Sequence, residues 1–215
     1  MRMRKKKWAE PWIDNHSDYI FRDPKENKGK WRALLGDKEL HLEIGMGKGD
    51  YLIGMAKLYP EAIWVGLEKD ISAAAVAARK VIDNEYDTNN NRMIFGDAIN
   101  LEEWFSENQI DVIHLNFSDP WPKKRYQKRR LSSEIFLDIY KRLLKKNGCV
   151  IMKTDNELLF DDSIEYFSNN GFSIKDISRD FRSVSHEEDV ITEYESKFIS
   201  EGKPIYRLIA INDKI

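Results

Sequence analysis

Glu39-Leu40-His41-Leu42-Glu43-Ile44-Gly45-Met46-Gly47-Lys48-Gly49 is a strand-like run that breaks into three glycines at alternate positions. Glu39–Ile44 predicts a strand, and Gly49–Tyr59 predicts a helix stopped by Pro60. Glycine adopts positive φ without steric cost, so such a turn lets the backbone approach a ligand closely. The same alternation continues downstream. Ala62–Glu68, Arg92–Phe95, Asp111–Phe117 and Cys149–Thr154 read as further strands. Between them lie the alanine-rich segment Ile71–Asn84 behind a capping Asp70, a short helix Leu101–Glu107, and a helix from Ser132 or Ser133 to Lys146 stopped by Asn147-Gly148. A helix over Asp155–Asn169 and a closing strand pair, Phe172–Ile177 and Ile205–Ile211, complete the chain.

Seven strands separated by helices predict an α/β fold with a mostly parallel sheet, helices on both faces and an antiparallel C-terminal strand. Such sheets bind ligands at the carboxyl ends of their strands. Gly45, Glu68, Asp97, Asp119 and Asp155 follow or end five successive strands, which singles them out together. Residues 1–30 are basic, aromatic and interrupted by Pro11 and Pro24. They read as an arm with little regular structure, ahead of a single domain over 31–215.

The 215 residues carry a formal net charge of -2, which excludes a uniformly basic nucleic-acid coat. The charge is segregated instead. Arg2, Arg4, Lys5, Lys6 and Lys7 open the chain, six cations fall within 123–130, and Glu187, Glu188, Asp189, Glu193 and Glu195 form an acidic stretch. Local fields of this kind steer a polyanion. The single Cys149 excludes an internal disulfide, and the four histidines lack metal-ligand spacing, so no metal is expected. No apolar run reaches membrane-spanning length. A cytoplasmic protein is expected.

The G-x-G-x-G spacing behind Glu43 resembles the first motif of class I S-adenosylmethionine methyltransferases, a Rossmann-like fold. The dinucleotide fingerprint G-x-G-x-x-G is not met, because Asp50 stands at its third glycine. S-adenosylmethionine has no pyrophosphate and carries an ammonium and a sulfonium, so acidic residues suit it. Glu68 is placed to accept from both ribose hydroxyls, and Asp97 to meet the adenine amino group. Glu43 and Glu68 capping their strands is the plainer alternative.

Ser118-Asp119-Pro120-Trp121-Pro122-Lys123-Lys124-Arg125-Tyr126-Gln127-Lys128-Arg129-Arg130 puts a carboxylate, two stiffening prolines and the cation run in one segment. D-P-W-P followed by K-K-R resembles the bacterial tRNA (guanine-N7)-methyltransferase family. Arg2-Met3-Arg4, the glycine loop, Asn116-Phe117-Ser118-Asp119, Thr154-Asp155-Asn156 and Thr192-Glu193-Tyr194-Glu195 look like family blocks in the expected order. Tyr126 departs from the pattern, which has histidine there. The resemblance implies methyl transfer to N7 of guanine 46 in the tRNA variable loop, with Asp119 catalytic. It implies cofactor binding by Glu43, Gly45, Gly47, Glu68, Asp97 and Asp119. Substrate contacts are implied for Lys123, Asp155, Thr192, Glu193, Tyr194 and Glu195, and RNA contacts for Arg125, Tyr126, Gln127, Lys128, Arg129 and Arg130. The resemblance implies tRNA as the partner, and a monomer or homodimer is expected.

Guanine N7 has an in-plane lone pair, so no general base is required and positioning dominates. A carboxylate nearby would stabilise the positive charge that builds on the purine. Asp119, Asp155 and Glu195 share base recognition, with the Watson–Crick edge assigned to none of them. The cation run is expected to position RNA through phosphates. Six such contacts predict a log–log salt slope of about -4 to -5. Trp8 and Trp12 could stack on bases, or the arm could pack on the protein itself. Methylation of an exocyclic amine, a nicotinamide dehydrogenase and a noncatalytic RNA-binding module are the rival functions.

Overall fold

The computed structural model describes residues 4–213; Arg2 and Met3 of the N-terminal block lie outside the described residues. The chain forms two compact units, one ending at Ser106 and the other beginning at Glu107.

The first unit runs α1 (Ala9–Asp14), β1 (Ile20–Phe21), α2 (Trp31–Leu35), β2 (Leu40–Ile44), α3 (Asp50–Leu58), β3 (Ile63–Glu68), α4 (Ile71–Asp83), β4 (Asn91–Phe95) and α5 (Leu101–Trp104). Its strands lie in the order β1-β4-β3-β2, with parallel pairings. All six residues of β3 are buried, as expected of a strand covered on both faces. Asp70 caps α4 as the sequence predicts, its Oδ1 accepting from Ser72 N at 2.9 Å and Ala73 N at 3.1 Å. The buried alanines of α4 permit close approach: a Cβ on Gly49 would come within 2.9 Å of the Ala77 Cβ.

The arm is more ordered than its composition suggests. Ala9 and Ile13, one helical turn apart, are buried against the rest of the unit, and α1 packs on α4. Lys6 N donates to Ser72 Oγ at 2.9 Å, and the Arg79 guanidinium lies 5.0 Å from the Trp8 ring centre. Trp12 stacks on His16 at 3.9 Å. Both tryptophans thus have partners within their own unit.

The second unit runs β5 (Ile110–Asn116), α6 (Glu134–Leu143), β6 (Leu144–Thr154), α7 (Glu157–Asn169), β7 (Phe172–Ser178), α8 (Glu193–Ser200) and β8 (Tyr206–Asn212). β5 and β6 are parallel, while β8 runs antiparallel to both β6 and β7. All seven expected strands are present, and β1 adds an eighth from the arm. Asn147-Gly148 does not stop a helix. The helix ends at Leu143, and these two residues lie inside β6, where pairing slips between Ile110 and Val112. Asn147 has φ 63°, and a Cβ on Gly148 would sit 2.9 Å from the Asp111 carbonyl, so the pair serves an irregular strand rather than a cap. Asn156, not Asp155, caps α7, accepting from Leu159 N at 2.8 Å.

Gly66 in β3 is a close-packing position: an added Cβ would meet Met46 Sδ at 2.3 Å and a Leu52 methyl at 2.6 Å. Gly66→Ala should therefore lose about 1–3 kcal/mol through overpacking, read as a lower midpoint in urea with an unchanged slope. An unchanged midpoint would show that Met46 and Leu52 yield freely.

Candidate active site

The first unit presents its polar groups around the turn after β2. Gly45, Gly47 and Gly49 have φ of 80°, 56° and 76°, a conformation that side chains rarely adopt. Gly45 N and Met46 N donate to Leu67 O at 2.7 and 3.0 Å, fastening the turn to β3. Lys80 reaches back from α4 to pair with Asp50 and to donate to Lys48 O at 3.2 Å.

Glu68 braces the turn from the next strand. Its Oε2 accepts from Gly47 N at 3.0 Å and its Oε1 from Asp70 N at 2.7 Å. Burial raises its carboxyl above the usual range, partly offset by these backbone donors. Glu43, on β2, is 2% exposed, and Glu68 is 9% exposed. Asp97 follows β4 on the surface and accepts from Ile99 N at 3.2 Å, capping the turn Ala98–Asn100. A Cβ at Gly45 or Gly47 would meet nothing within 4 Å, so open space lies over the turn beside buried acids. An adenosyl sulfonium with a ribose fits this donor set: hydroxyls find carboxylate lone pairs, and the cationic centre finds negative charge.

In the second unit, the loop after β5 is held in an unusual shape. Phe117 and Trp121 both have positive φ, 51° and 39°, on either side of Ser118-Asp119-Pro120. Bulky residues rarely adopt this conformation, and such strain gathers where a loop must present a group exactingly. Asp119 is exposed, and Asp155 is half-buried just beyond β6. The Phe117, Tyr194 and Phe198 rings form a row, 5.1 and 4.8 Å between centres. Burial and then the charges of Asp155 and Asp119 push the Tyr194 phenol up, so both carboxylates act on one ring.

The other residues of that block face differently. Thr192 caps α8, its Oγ1 accepting from Glu195 N at 3.1 Å. Glu195 is fully buried and accepts from Arg182 Nε at 2.6 Å. Glu193 and Tyr194 are exposed. T-x-x-E is a helix-start spacing, a signal available in the sequence, and here only its threonine serves the cap while the glutamate turns inward.

The cation run is a folded turn, Lys124–Arg129, rather than a loose solvated stretch. Tyr126 N donates to Lys123 O at 2.8 Å, and Ser133 Oγ donates to Lys128 O at 3.1 Å. Arg125 and Arg129 each lie 4.8 Å from the Tyr126 ring centre, and Arg129 lies 5.2 Å from that of Trp121. Arg130 is a correction to the expected set of RNA contacts. It is 3% exposed, donates from Nε to Pro120 O at 2.7 Å, and pairs through Nη1 with Asp162 Oδ2 at 2.5 Å. A guanidinium spent in this way holds the loop's shape and does not offer itself to a phosphate. The outward cations are Lys123, Lys124, Arg125, Lys128 and Arg129.

A family model described as "Putative methyltransferase" matches residues 37–208. A tRNA (guanine-N(7)-)-methyltransferase of Oceanobacillus iheyensis is 43% identical over 215 residues, all of both chains. One of Limosilactobacillus reuteri is 44% identical over 212 residues, 98% of this chain and 99% of its own. One of Streptococcus agalactiae is 38% identical over 211 residues, again 98% and 99%. The chain belongs to the bacterial tRNA (guanine-N7)-methyltransferase family. Among solved structures, an antibiotic-related methyltransferase matches with a TM-score of 0.66 at 17% identity, covering 85% of this chain and 93% of that one. The 16S rRNA methyltransferase KamB matches with 0.62 at 13% identity, covering 85% and 92%. These likenesses show a shared Rossmann-like α/β fold.

Members of this family use S-adenosylmethionine, and the buried acids and open glycine turn suit it. Among the described residues, no cluster of metal-ligating side chains occurs and no helix is long and apolar enough to cross a membrane. Sequence reasoning missed the guanidinium contacts on Trp121 and Tyr126. The interleaving of aromatics and cations over 121–129 was the available signal. It also missed Arg182, which carries no motif.

Glu68→Gln should weaken S-adenosylmethionine binding roughly 10- to 100-fold, the value of hydrogen bonds to a charged group. Because burial raises the Glu68 pKa, its stabilising contribution is whole below the unfolded carboxylate value and is lost as pH rises through the raised one. The melting temperature of the variant relative to wild type should climb as pH rises above the ordinary carboxylate range; a difference flat with pH would refute the assignment.

Arg129→Ala should reduce the log–log salt slope of tRNA binding by about 1 and leave the melting temperature alone. Arg130→Ala should lower the melting temperature, because Asp162 and the Pro120 carbonyl lose their partner. Equal behaviour of the two variants would contradict their opposite placement.

Proposed function

We propose that this chain transfers methyl from S-adenosylmethionine to N7 of a guanine in tRNA, at position 46 of the variable loop. The observation that carries the reading is the strained loop that carries exposed Asp119, between Phe117 and Trp121 at positive φ, running straight into a turn of outward cations. Glu43, Gly45, Gly47, Glu68 and Asp97 hold the donor. When bound, the donor supplies an electrophilic methyl on a sulfonium.

The protein's own work is orientation and charge. The N7 lone pair lies in the purine plane on the edge opposite N1–H and the amine, and holding both edges at once requires the nucleobase to leave the stack, at a cost of a few kcal/mol. Tyr194 offers a ring face for the extruded base. Asp119 and Asp155 accept from guanine N1–H and its amine, a donor pattern adenine lacks. As N7 loses its lone pair the purine becomes cationic, and the same carboxylates stabilise that charge without taking a proton. Lys123, Lys124, Arg125, Lys128 and Arg129 grip phosphates and set the register, with Tyr126 and Gln127 in the same turn. The enzyme works as a monomer or homodimer in the cytoplasm, where tRNA is matured.

The test is labelled-methyl transfer to unmodified tRNA, followed by reduction and aniline cleavage, which cuts at N7-methylguanosine. Replacing the variable-loop guanine by adenine should abolish the cut; methyl retained without cleavage would indicate an exocyclic amine instead. Asp119→Ala should lower the single-turnover rate by about 10²–10³, the scale of losing one preorganised polar group. A rate within about tenfold of wild type would remove Asp119 from the chemistry.

A further inference from the structure

Four charged side chains of the second unit close on one another in a cluster that methyl transfer does not itself consume. Lys153, near the end of β6, pairs with Asp189 and lies 3.5 Å from Glu195 Oε2. Arg182 reaches the same two acids from the loop before α8: Nε donates to Glu195 Oε1 at 2.6 Å, and Nη2 pairs with Asp189. Its terminal nitrogens also donate to Asp189 O at 3.3 Å and Val190 O at 3.4 Å. Side-chain exposure is 0% for Lys153 and Glu195, 5% for Arg182 and 10% for Asp189. Two cations balance two carboxylates, so the buried set is neutral. Burial works against the Arg182 charge, yet Glu195 and Asp189 outweigh it and keep the guanidinium above its ordinary value.

The cluster ties three segments together: the end of β6, the loop 182–190, and the first turn of α8. Two of these segments adjoin residues of the acceptor site. Asp155 lies two positions after Lys153, and Tyr194 directly precedes Glu195. Glu195 cannot turn toward a nucleobase without leaving both cations. Thr192 adds a local restraint by capping the same turn.

We propose that Arg182 and Lys153 are positioning residues for the acceptor base, latching the start of α8 to β6, and that Glu195 acts through this latch rather than by touching guanine. The inference rests on the reading of Asp119, Asp155 and Tyr194 as the acceptor site. Desolvation offsets much of the attraction within buried pairs, but removing one partner leaves an uncompensated charge, so the set holds together as a unit. Lysine at position 182 keeps the charge but lacks the planar fork that spans two carboxylates.

The test uses the full chain with Arg182→Lys, Glu195→Gln and the double variant, measuring tRNA kcat/KM and, separately, S-adenosylmethionine Kd. A shift on the order of 1 Å at the acceptor costs up to about 10²-fold, so Arg182→Lys should lower tRNA kcat/KM by roughly 10- to 100-fold. Donor affinity should stay within about twofold of wild type. The double variant should be little worse than the poorer single one, since both changes open the same latch. Three results would overturn the proposal: tRNA kcat/KM within about threefold of wild type, donor binding weakened in step with turnover, or losses in the two singles that multiply in the double. If Arg182→Lys does not fold, Asp189→Asn is judged by the same criteria. Wild-type protein in the same assay reports on methyl transfer itself, so failure of the underlying function shows before any variant is compared.

Discussion

One carboxylate braces the turn around which the first unit arranges its polar groups. Glu68 ends β3, and its two oxygens accept from the backbones of two turns, Gly47 after β2 and Asp70 before α4. Burying a charge is costly unless donors surround it, and these amides are those donors. The arrangement leaves lone pairs on a shielded carboxylate, directed at the end of a strand. It also explains why the glycines must be glycines: the backbone has to pass through positive φ to present Gly47 N to Glu68. The raised Glu68 pKa reflects the burial of that acid, which these donors only partly offset.

In the second unit, charge is sorted by depth. Outward cations along 123–129 are screened by solvent and suited to a polyanion whose contacts are many and individually modest. Inward cations are each committed: Arg130 to the Pro120 carbonyl and Asp162, Lys153 and Arg182 to Asp189 and Glu195. Exposed and buried cations within eight residues of one another therefore do different work. Arg130 shapes the strained loop that carries Asp119, while Arg129, next to it in the chain, stacks over Trp121 and Tyr126. Loop strain at Phe117 and Trp121 is tolerable because such inward bonds over-determine the backbone around it.

Much of this was legible in the chain. Strand positions followed from period and apolarity, the Asp70 cap from residue type, and the strand-end acids from their order. Errors gathered where long-range pairing overrode a local signal. Asn147-Gly148 has the composition of a helix stop, yet pairing of Leu144 with Ile110 begins the strand earlier and makes the two residues a bulge. The arm's prolines suggested an irregular segment, yet Ala9 and Ile13 bury enough to hold one short helix against α4.

Residue order alone determined that this is an alternating α/β chain with a glycine turn, acids at successive strand ends and a proline-stiffened loop before a run of cations. Those features follow from periodicity and from the conformational limits of glycine and proline, which act over a few residues. Only the tertiary structure decided which charges face solvent and which are locked away. Lys128 and Lys153, or Glu193 and Glu195, are chemically equivalent as letters. Their difference is depth, set by contacts across 32 to 42 residues of chain such as Arg130–Asp162 and Lys153–Glu195, and desolvation makes depth the property that separates a charge open to solvent from one committed to the structure.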